Sequence, residues 1–375
     1  MKVLILADEI FAMRERSMLG RLELGLADEG IRVIHGIPST LAGHEPRDVF
    51  SRPVFYETSR FRTFRRLLAR RLAETIRDPE ADEDDQPVSV VHVFGGSAWE
   101  LGLDVAEDLD AEAVLELWRP ALRERADDIA RKSAGPAPVF AVPDSMLERC
   151  VRDRSPNLTL RCTPWGVHLE DRRREILPAG GVPTAVILGG GHDRPAFAAA
   201  LEGIARVLPR HRDLMIFLDA RAVRRGDLWP IAKRFGLLES MSLIEDLEAR
   251  RDLLTQADVL VLPEARGEHH SVVLEAMAAP MAVVAAADAA VGTLIDGRTA
   301  VLVKTVEPAA WATALQQLLA NPEQANALAN SAREFVRTER TVFRHVHSVI
   351  EMYKWMTSGD SLPLRAGGGP AAPVS

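Results

Sequence analysis

The sequence predicts an α/β protein made of two doubly wound, Rossmann-like domains that face each other across a cleft. Short runs of β-branched and aliphatic residues alternate with segments of helical periodicity, which is the pattern of parallel sheets built from βαβ units. This alternation is interrupted once, by a segment rich in charge, proline and glycine, and then starts again. The chain has 375 residues, which is too long for one ordinary hydrophobic core and suits two.

The first predicted domain covers residues 1–168. Its strands are predicted in five segments, which read KVLILA, IRVIHGI, VSVVHVF, AEAVLELW and PVFAV. A helix at residues 13–29 follows the first strand, and further helices are predicted after Ser97, up to about Lys132 and at residues 144–151. The segment NLTLRCTPWGVH completes this domain.

The second domain is predicted at residues 184–340, after a linker at residues 169–183. Strands are predicted in TAVILGGG and DLMIFLDA and at residues 259–263, 281–286 and 300–304. A last helix at residues 341–358 has an apolar face, so we expect it to cross back and pack on the first domain. Residues 359–375, which end in AGGGPAAPVS, have no apolar period and are predicted to be disordered.

The composition indicates a soluble cytoplasmic protein that does not bind nucleic acid. The net charge is −8, and the sequence contains no basic stripe with interleaved aromatic residues. Cys150 and Cys162 are the only cysteines, and this suits a reducing compartment. The apolar start of the chain is too short for a signal peptide, and no run of 18 apolar residues follows.

One carboxylate, Glu275, stands in the otherwise apolar stretch VVLEAMA and would be costly to bury without a partner. The surrounding segment, residues 256–303, reads QADVLVLPEARGEHHSVVLEAMAAPMAVVAAADAAVGTLIDGRTAVLV. It resembles the donor-binding segment of family-4 type glycosyltransferases of the GT-B fold. GLADEGIRV near the start and TPWGVH at residues 163–168 resemble two other segments of that family, although the active-site motifs are degenerate.

The resemblance implies an enzyme, a hexosyltransferase that moves a sugar from a nucleotide-diphosphate donor to an unidentified acceptor with retention of configuration. Glu275 matches the family glutamate that binds the donor ribose. The start of its helix, at His270, Ser271 and Val272, offers free N–H groups to a phosphate. Such chemistry needs neither a metal nor a further cofactor if helix N-termini and basic residues stabilise the leaving diphosphate.

Two expected groups are displaced from their family positions. The first family glutamate falls on Gly267, so Glu268 is the candidate stand-in at the donor sugar. The glycine turn Gly189, Gly190 and Gly191 permits close approach of a phosphate. The family's basic residues there fall on Gly190 and Pro195, so Arg194 is the candidate stand-in for the leaving group.

These departures leave two alternatives open. The chain could be a catalytically weakened or inactive relative that binds a nucleotide or a glycan, or a sugar-nucleotide epimerase on the same fold. The expected partners are a nucleotide sugar and a glycan or lipid-linked acceptor.

A basic amphipathic segment between Arg60 and Arg77 leaves two further interpretations open. It could contact a membrane surface or an anionic acceptor, or it could be a core-facing helix with a solvated basic face. The apolar residues predicted to share its buried face are Phe61, Phe64, Leu68, Leu72 and Ile76.

Overall fold

The structure is a computed structural model that describes residues 1–43, 51–59, 61–78, 86–132, 137–169, 174–245, 253 and 256–358. It contains two parallel sheets flanked by helices, so the predicted α/β class with two doubly wound sheets is confirmed. The predicted tail at residues 359–375, Arg60 and parts of the predicted linker lie outside the described residues.

The first sheet has seven strands in the order β3-β2-β1-β4-β5-β6-β7, all parallel. The central strands β1 and β4 are almost wholly buried, because helices cover both faces of the sheet. The strands are β1 (Lys2–Ala7), β2 (Arg32–Pro38), β3 (Ser51–Tyr56), β4 (Val88–Phe94), β5 (Glu112–Glu116), β6 (Val139–Val142) and β7 (Leu160–Cys162).

The second sheet has six parallel strands in the order β10-β9-β8-β11-β12-β13. The order of the strands reverses beside β8, and ligands of doubly wound sheets bind at such a point, beyond the carboxyl ends of the strands. The strands are β8 (Thr184–Ile187), β9 (Met215–Asp219), β10 (Met241–Ile244), β11 (Val259–Leu262), β12 (Ala282–Ala286) and β13 (Val301–Val303).

The helices connect successive strands and cover the sheets. Those of the first part of the chain are α1 (Glu9–Arg14), α2 (Arg16–Asp28), α3 (Arg62–Arg77), α4 (Trp99–Leu109), α5 (Arg123–Lys132) and α6 (Ser145–Arg152). Those of the second part are α7 (Arg194–Val207), α8 (Ala220–Gly226), α9 (Trp229–Arg234), α10 (Ser271–Ala278), α11 (Pro308–Ala320), α12 (Pro322–Glu339) and α13 (Val342–Thr357).

The last helix, α13, crosses back onto the first sheet, as the sequence predicts. It packs against α2, where Val346 lies directly over Gly25. Its Tyr353 is fully buried, and the hydroxyl lies 2.8 Å from Nδ1 of His92 on β4. The bridge between Val167 and Thr341 marks the crossing point.

Several elements differ from the sequence-based expectation. The helix predicted at residues 13–29 is two helices, α1 and α2, which meet at Glu15. Three edge strands, β3, β7 and β10, are not among the strands that the sequence predicts. On α13, His345 is buried and His347 is exposed.

The predicted buried face of the basic helix α3 is correct at Leu68, Leu72 and Ile76 and wrong at Phe61 and Phe64. Phe61 and Phe64, which were expected in the core, are 75% and 63% exposed. The buried residues of α3 are Ala69, Leu72, Ala73 and Ile76.

Candidate functional site

A cavity lies at the carboxyl ends of the second sheet, where the two domains meet. The predicted site residues Glu268, His270, Gly189 and Gly190 line it. The first sheet and the crossing region contribute Pro143, Trp165 and Arg340. The remaining lining residues are Leu188, Leu262, Glu264, Arg266, His269, Val273, Leu274, Asp288, Val291, Thr293 and Leu294.

Glu268 is a buried carboxylate surrounded by cationic groups. Its Oε1 lies 2.9 Å from Nη1 of Arg119 and 3.6 Å from Nε of Arg266, and its Oε2 lies 3.6 Å from Nε2 of His270. Burial alone would raise the pKa of Glu268, but His270 and Arg119 outweigh it and hold that pKa far below its ordinary value. Glu268 is therefore ionised in the cleft.

The start of α10 holds a carboxylate from the other domain. Oε2 of Glu15 accepts a hydrogen bond from the backbone N–H of Ser271 at 3.0 Å, and its Oε1 lies 3.0 Å from Nδ1 of His270. Glu15 is only 3% exposed. Burial opposes ionisation of Glu15, yet the contacts with His270 and Ser271 lower its pKa. A carboxylate here benefits from the helix dipole and from otherwise unpaired N–H groups.

The glycine turn also holds a carboxylate. Oε2 of Glu264 accepts from the backbone N–H groups of Gly190 at 2.6 Å and Gly191 at 3.1 Å. Its Oε1 accepts from those of His192 and Asp193, both at 2.6 Å. Successive N–H groups that point at one anion form the concave backbone site that binds phosphate in other proteins. In this turn, Glu264 occupies it.

Arg194 points along the surface and not into the cavity. Its Nε donates to the carbonyl oxygen of Gly226 at 3.0 Å, and its Nη2 lies 3.5 Å from a carboxylate oxygen of Asp227. The side chain is 53% exposed. The leaving-group role predicted for Arg194 stays a prediction, and it would require a different side-chain orientation.

Glu275 pairs across the domain boundary. Its Oε1 lies 2.8 Å from Nη1 of Arg21 on α2, and the two side chains are 14% and 11% exposed. The apolar surroundings that make this carboxylate conspicuous in the sequence are the packed face of α10. The predicted ribose contact stays a prediction. In the closed arrangement of this structure, the partner of Glu275 is Arg21.

Several residues of the cleft were not predicted from the sequence. Arg14 lies close enough to Glu268 and Glu15 to interact with both electrostatically, and burial lowers its pKa. Together with Glu15 and Arg21, it comes from the segment MRERSMLGR, where two helices meet directly after β1. The run of alternating charges at the carboxyl end of a buried strand is the signal that could have identified them.

Trp118 forms part of the wall beside these charges. Its ring packs edge-on against Phe11 at 5.9 Å and lies 5.7 Å from the ring of His270. The guanidinium of Arg119 lies 4.8 Å from the Trp118 ring centre. Trp118 therefore fills the wall of the cleft between the aromatic core of the first domain and His270.

The described part of the chain contains no candidate metal site. Within it, no group of three or more histidine, cysteine, aspartate or glutamate side chains is placed to hold a metal ion. Among the same residues, no helix is long and apolar enough to cross a membrane.

Comparison with solved structures gives matches over almost the whole chain. Sucrose-phosphate synthase from Thermosynechococcus elongatus has a TM-score of 0.73 at 16% identity and covers 96% of this chain and 99% of its own. Anabaena Alr3699/HepE in complex with UDP and glucose has a TM-score of 0.73 at 13% identity, covering 94% and 99%. WaaG, a glycosyltransferase involved in lipopolysaccharide biosynthesis, has a TM-score of 0.64 at 13% identity, covering 96% and 100%.

The sheets, the cleft and these matches define the class, which is the two-domain GT-B fold. Residues 183–321 match the family described as Glycosyl transferases group 1. This match lies in the second part of the chain and includes residues 256–303, the segment that carries the resemblance in the sequence. No curated protein matches the sequence.

Proposed function

We propose that this protein is a retaining glycosyltransferase that takes its sugar from a nucleotide-diphosphate donor bound in the interdomain cleft. The observation that carries the proposal is the match of residues 183–321 to group 1 glycosyl transferases, in the domain that contains Glu268 and Glu275. The complex of the Anabaena protein with UDP and glucose supports uridine-diphosphate sugars as the first donors to test.

In the proposed complex, Glu268 faces the donor sugar and Glu275 binds the ribose hydroxyls. A carboxylate can accept two hydroxyl hydrogen bonds, and such charged bonds are strong when partly buried. Arg119 and Arg266, which flank Glu268, are the cations nearest to it that could balance charge on a leaving diphosphate. Glu275 must exchange Arg21 for the ribose, which requires movement between α2 and α10.

The second candidate is a relative that binds a nucleotide or glycan without turnover. One specific observation favours it: the glycine turn directs its N–H groups to Glu264, while Arg194 turns toward Asp227. Nothing in the comparisons favours the epimerase alternative, and we do not propose it.

Donor turnover tests the proposal. The native protein is incubated with uridine-diphosphate sugars, with and without oligosaccharide and lipid-linked acceptors, and release of the nucleoside diphosphate is measured. Glu268→Gln should lower turnover by about 100-fold or more, because an ionised group beside the reacting sugar is lost. Glu351→Gln, on the exposed side of α13, serves as the control. Binding without turnover under every acceptor condition would favour the second candidate.

The acceptor is proposed to be presented at a membrane surface beside helix α3. Phe61, directly before α3, and Phe64 and Leu67 on α3 are exposed to solvent, as are Arg70 and Arg71 on the same helix. Apolar side chains flanked by arginines suit a surface of anionic lipid. Co-sedimentation with phosphatidylglycerol vesicles should be lost in a Phe61→Ser, Phe64→Ser variant. Equal binding of both proteins would contradict the lipid contact.

A further inference from the structure

The two backbone anion sites of the cleft are both filled by carboxylates of the protein itself. Glu264 takes the four N–H groups of the glycine turn, and Glu15 takes the N–H at the start of α10. Both sites border the same cavity, because Gly190, Glu264 and His270 all line it. A doubly charged diphosphate would seek the same donors, since carboxylate and phosphate oxygens accept in the same way.

The carboxylates of Glu264 and Glu15 differ in which domain carries them, and so in what must move for each to leave its backbone site. Glu264 follows β11 in the second domain, so it can leave the glycine turn by a side-chain rotation alone. Glu15 belongs to the first domain, between α1 and α2, and its carboxylate reaches across the cleft to α10. Withdrawal of Glu15 therefore breaks two contacts that join the domains, whereas withdrawal of Glu264 breaks none.

Other contacts across the cleft hold the same closed arrangement. The backbone N–H of His269 donates to the carbonyl oxygen of Trp118 at 3.2 Å. The ion pairs Arg21–Glu275 and Arg119–Glu268 join α2 to α10 and the segment after β5 to the loop before α10. Gly267 has a φ of +65°, and an added Cβ there would meet the ring of Pro120. The position next to Glu268 is therefore filled from the first domain.

We propose that Glu15 is an autoinhibitory latch: it substitutes for a donor phosphate at α10, helps to hold the two domains together, and must be withdrawn before a diphosphate can bind there. This inference rests on the proposed function for its biological meaning, but its physical content is competition between Glu15 and an anion for one site. Glu264 occupies the glycine turn in the same way, so a diphosphate must displace it as well.

Inorganic pyrophosphate is the probe, because it carries the diphosphate chemistry without a base or a sugar. Its affinity for the full-length protein is measured by calorimetry for the native protein and for Glu15→Gln. The neutral amide keeps the shape of the side chain and removes the competing charge. We expect Glu15→Gln to bind pyrophosphate at least about tenfold more tightly than the native protein.

Glu23→Gln is the matched control, because Glu23 is also a buried carboxylate of the α2 segment but pairs with His35 and Ser51, away from the cavity. It should bind pyrophosphate as the native protein does. Small-angle scattering should show a larger radius of gyration for Glu15→Gln, and for the native protein only at high pyrophosphate concentration. Equal pyrophosphate affinity in native and Glu15→Gln proteins would overturn the latch.

If circular dichroism shows that Glu15→Gln does not fold, Glu15→Asp is used instead. It keeps the charge but draws the carboxylate back by one methylene group, and it should still tighten pyrophosphate binding measurably; unchanged affinity overturns the latch here too. The two proposals fail separately. Tighter pyrophosphate binding without any donor turnover supports the latch and not the enzyme, whereas donor turnover with unchanged pyrophosphate affinity does the reverse.

Discussion

Two possible roles of Glu275, ribose binding and pairing with Arg21, predict opposite effects of Glu275→Gln on nucleotide affinity. If it binds the donor ribose, Glu275→Gln loses a charged hydrogen bond worth about 1.5–3 kcal/mol, and nucleotide affinity should fall about tenfold or more. If it only pairs with Arg21 to hold the cleft closed, the same variant loosens the cleft and nucleotide should bind more tightly. Calorimetry with UDP decides the sign, and we expect weaker binding.

The control for Glu275→Gln is Arg21→Gln, which breaks the same ion pair without touching the carboxylate. We expect Arg21→Gln to bind UDP at least as tightly as the native protein, because it frees Glu275 for the ribose. Weakened binding in Arg21→Gln as well would mean that the ion pair is part of the binding-competent state, and would count against the ribose assignment.

Sequence reasoning found the residues of the cleft that lie in a regular motif and missed those that depend on a break in regular structure. Glu268 and Glu275 follow from the family-like segment around α10. Glu15 does not, because a continuous helix over residues 13–29 would have turned it away from α10. The orientation of Arg194 could not be predicted either, since a long exposed side chain chooses among rotamers by local contacts such as Gly226 and Asp227.

Helix α2 contains two glycines that should respond oppositely to alanine. Gly20 has open space where a Cβ would stand, so Gly20→Ala should raise the free energy of unfolding by about 0.5–1 kcal/mol through helix propensity. Gly25 lies against the methyl groups of Val346 on α13, and an added Cβ there would overlap them. Valine has little rotamer freedom in a helix, so the overlap must be relieved by moving α13.

Gly25→Ala should therefore lower the free energy of unfolding, by about 1–3 kcal/mol of overpacking less the propensity gain. Urea denaturation of the two variants and the native protein measures both effects. If Gly25→Ala were as stabilising as Gly20→Ala, the close packing of α13 on α2 would be refuted.

At the scale of elements, the buried strands are easier to predict from the sequence than the exposed ones. The central strands β1, β4 and β11 are continuous apolar runs and were predicted. The edge strand β3 reads SRPVFY and is partly exposed, so its charge and proline concealed it. The apolar face of α3 is predicted correctly at Leu72 and Ile76, whereas Phe61 and Phe64 fit the same helical period but are exposed to solvent.

At the scale of the whole molecule, the two domains share apolar packing and are also joined by polar contacts that depend on charge, so closure should depend on pH. His270 contacts Glu15 and Glu268, and the positive charge of Arg14 nearby acts to lower the pKa of His270. Burial by itself lowers the pKa of His270, but the two carboxylates outweigh it and raise that pKa above 6.5. The protonated ring therefore stabilises the closed state below its ordinary pKa, and this contribution is lost as pH rises through the raised value.

Glu15 acts in the opposite sense, since its lowered pKa makes its contribution complete above 4.5 and lost only as pH falls further. Between these limits both groups are charged and the latch is strongest. Above the raised pKa of His270, a neutral ring lies between two carboxylates, and we expect the domains to separate reversibly. Small-angle scattering through a pH titration upward from 6.5 should show the radius of gyration rising while circular dichroism stays constant.

One buried group could imitate this behaviour. Burial raises the pKa of Glu116 to about 8, although a hydrogen bond from Trp165 opposes the shift, so its stabilising contribution is also lost as pH rises. Glu116 lies inside the first domain, and its ionisation should reduce the free energy of unfolding without separating the domains. His270→Gln keeps Glu116 and removes the imidazole. The pH-dependent rise in the radius of gyration should disappear in this variant, and an unchanged rise would show that domain separation does not depend on His270.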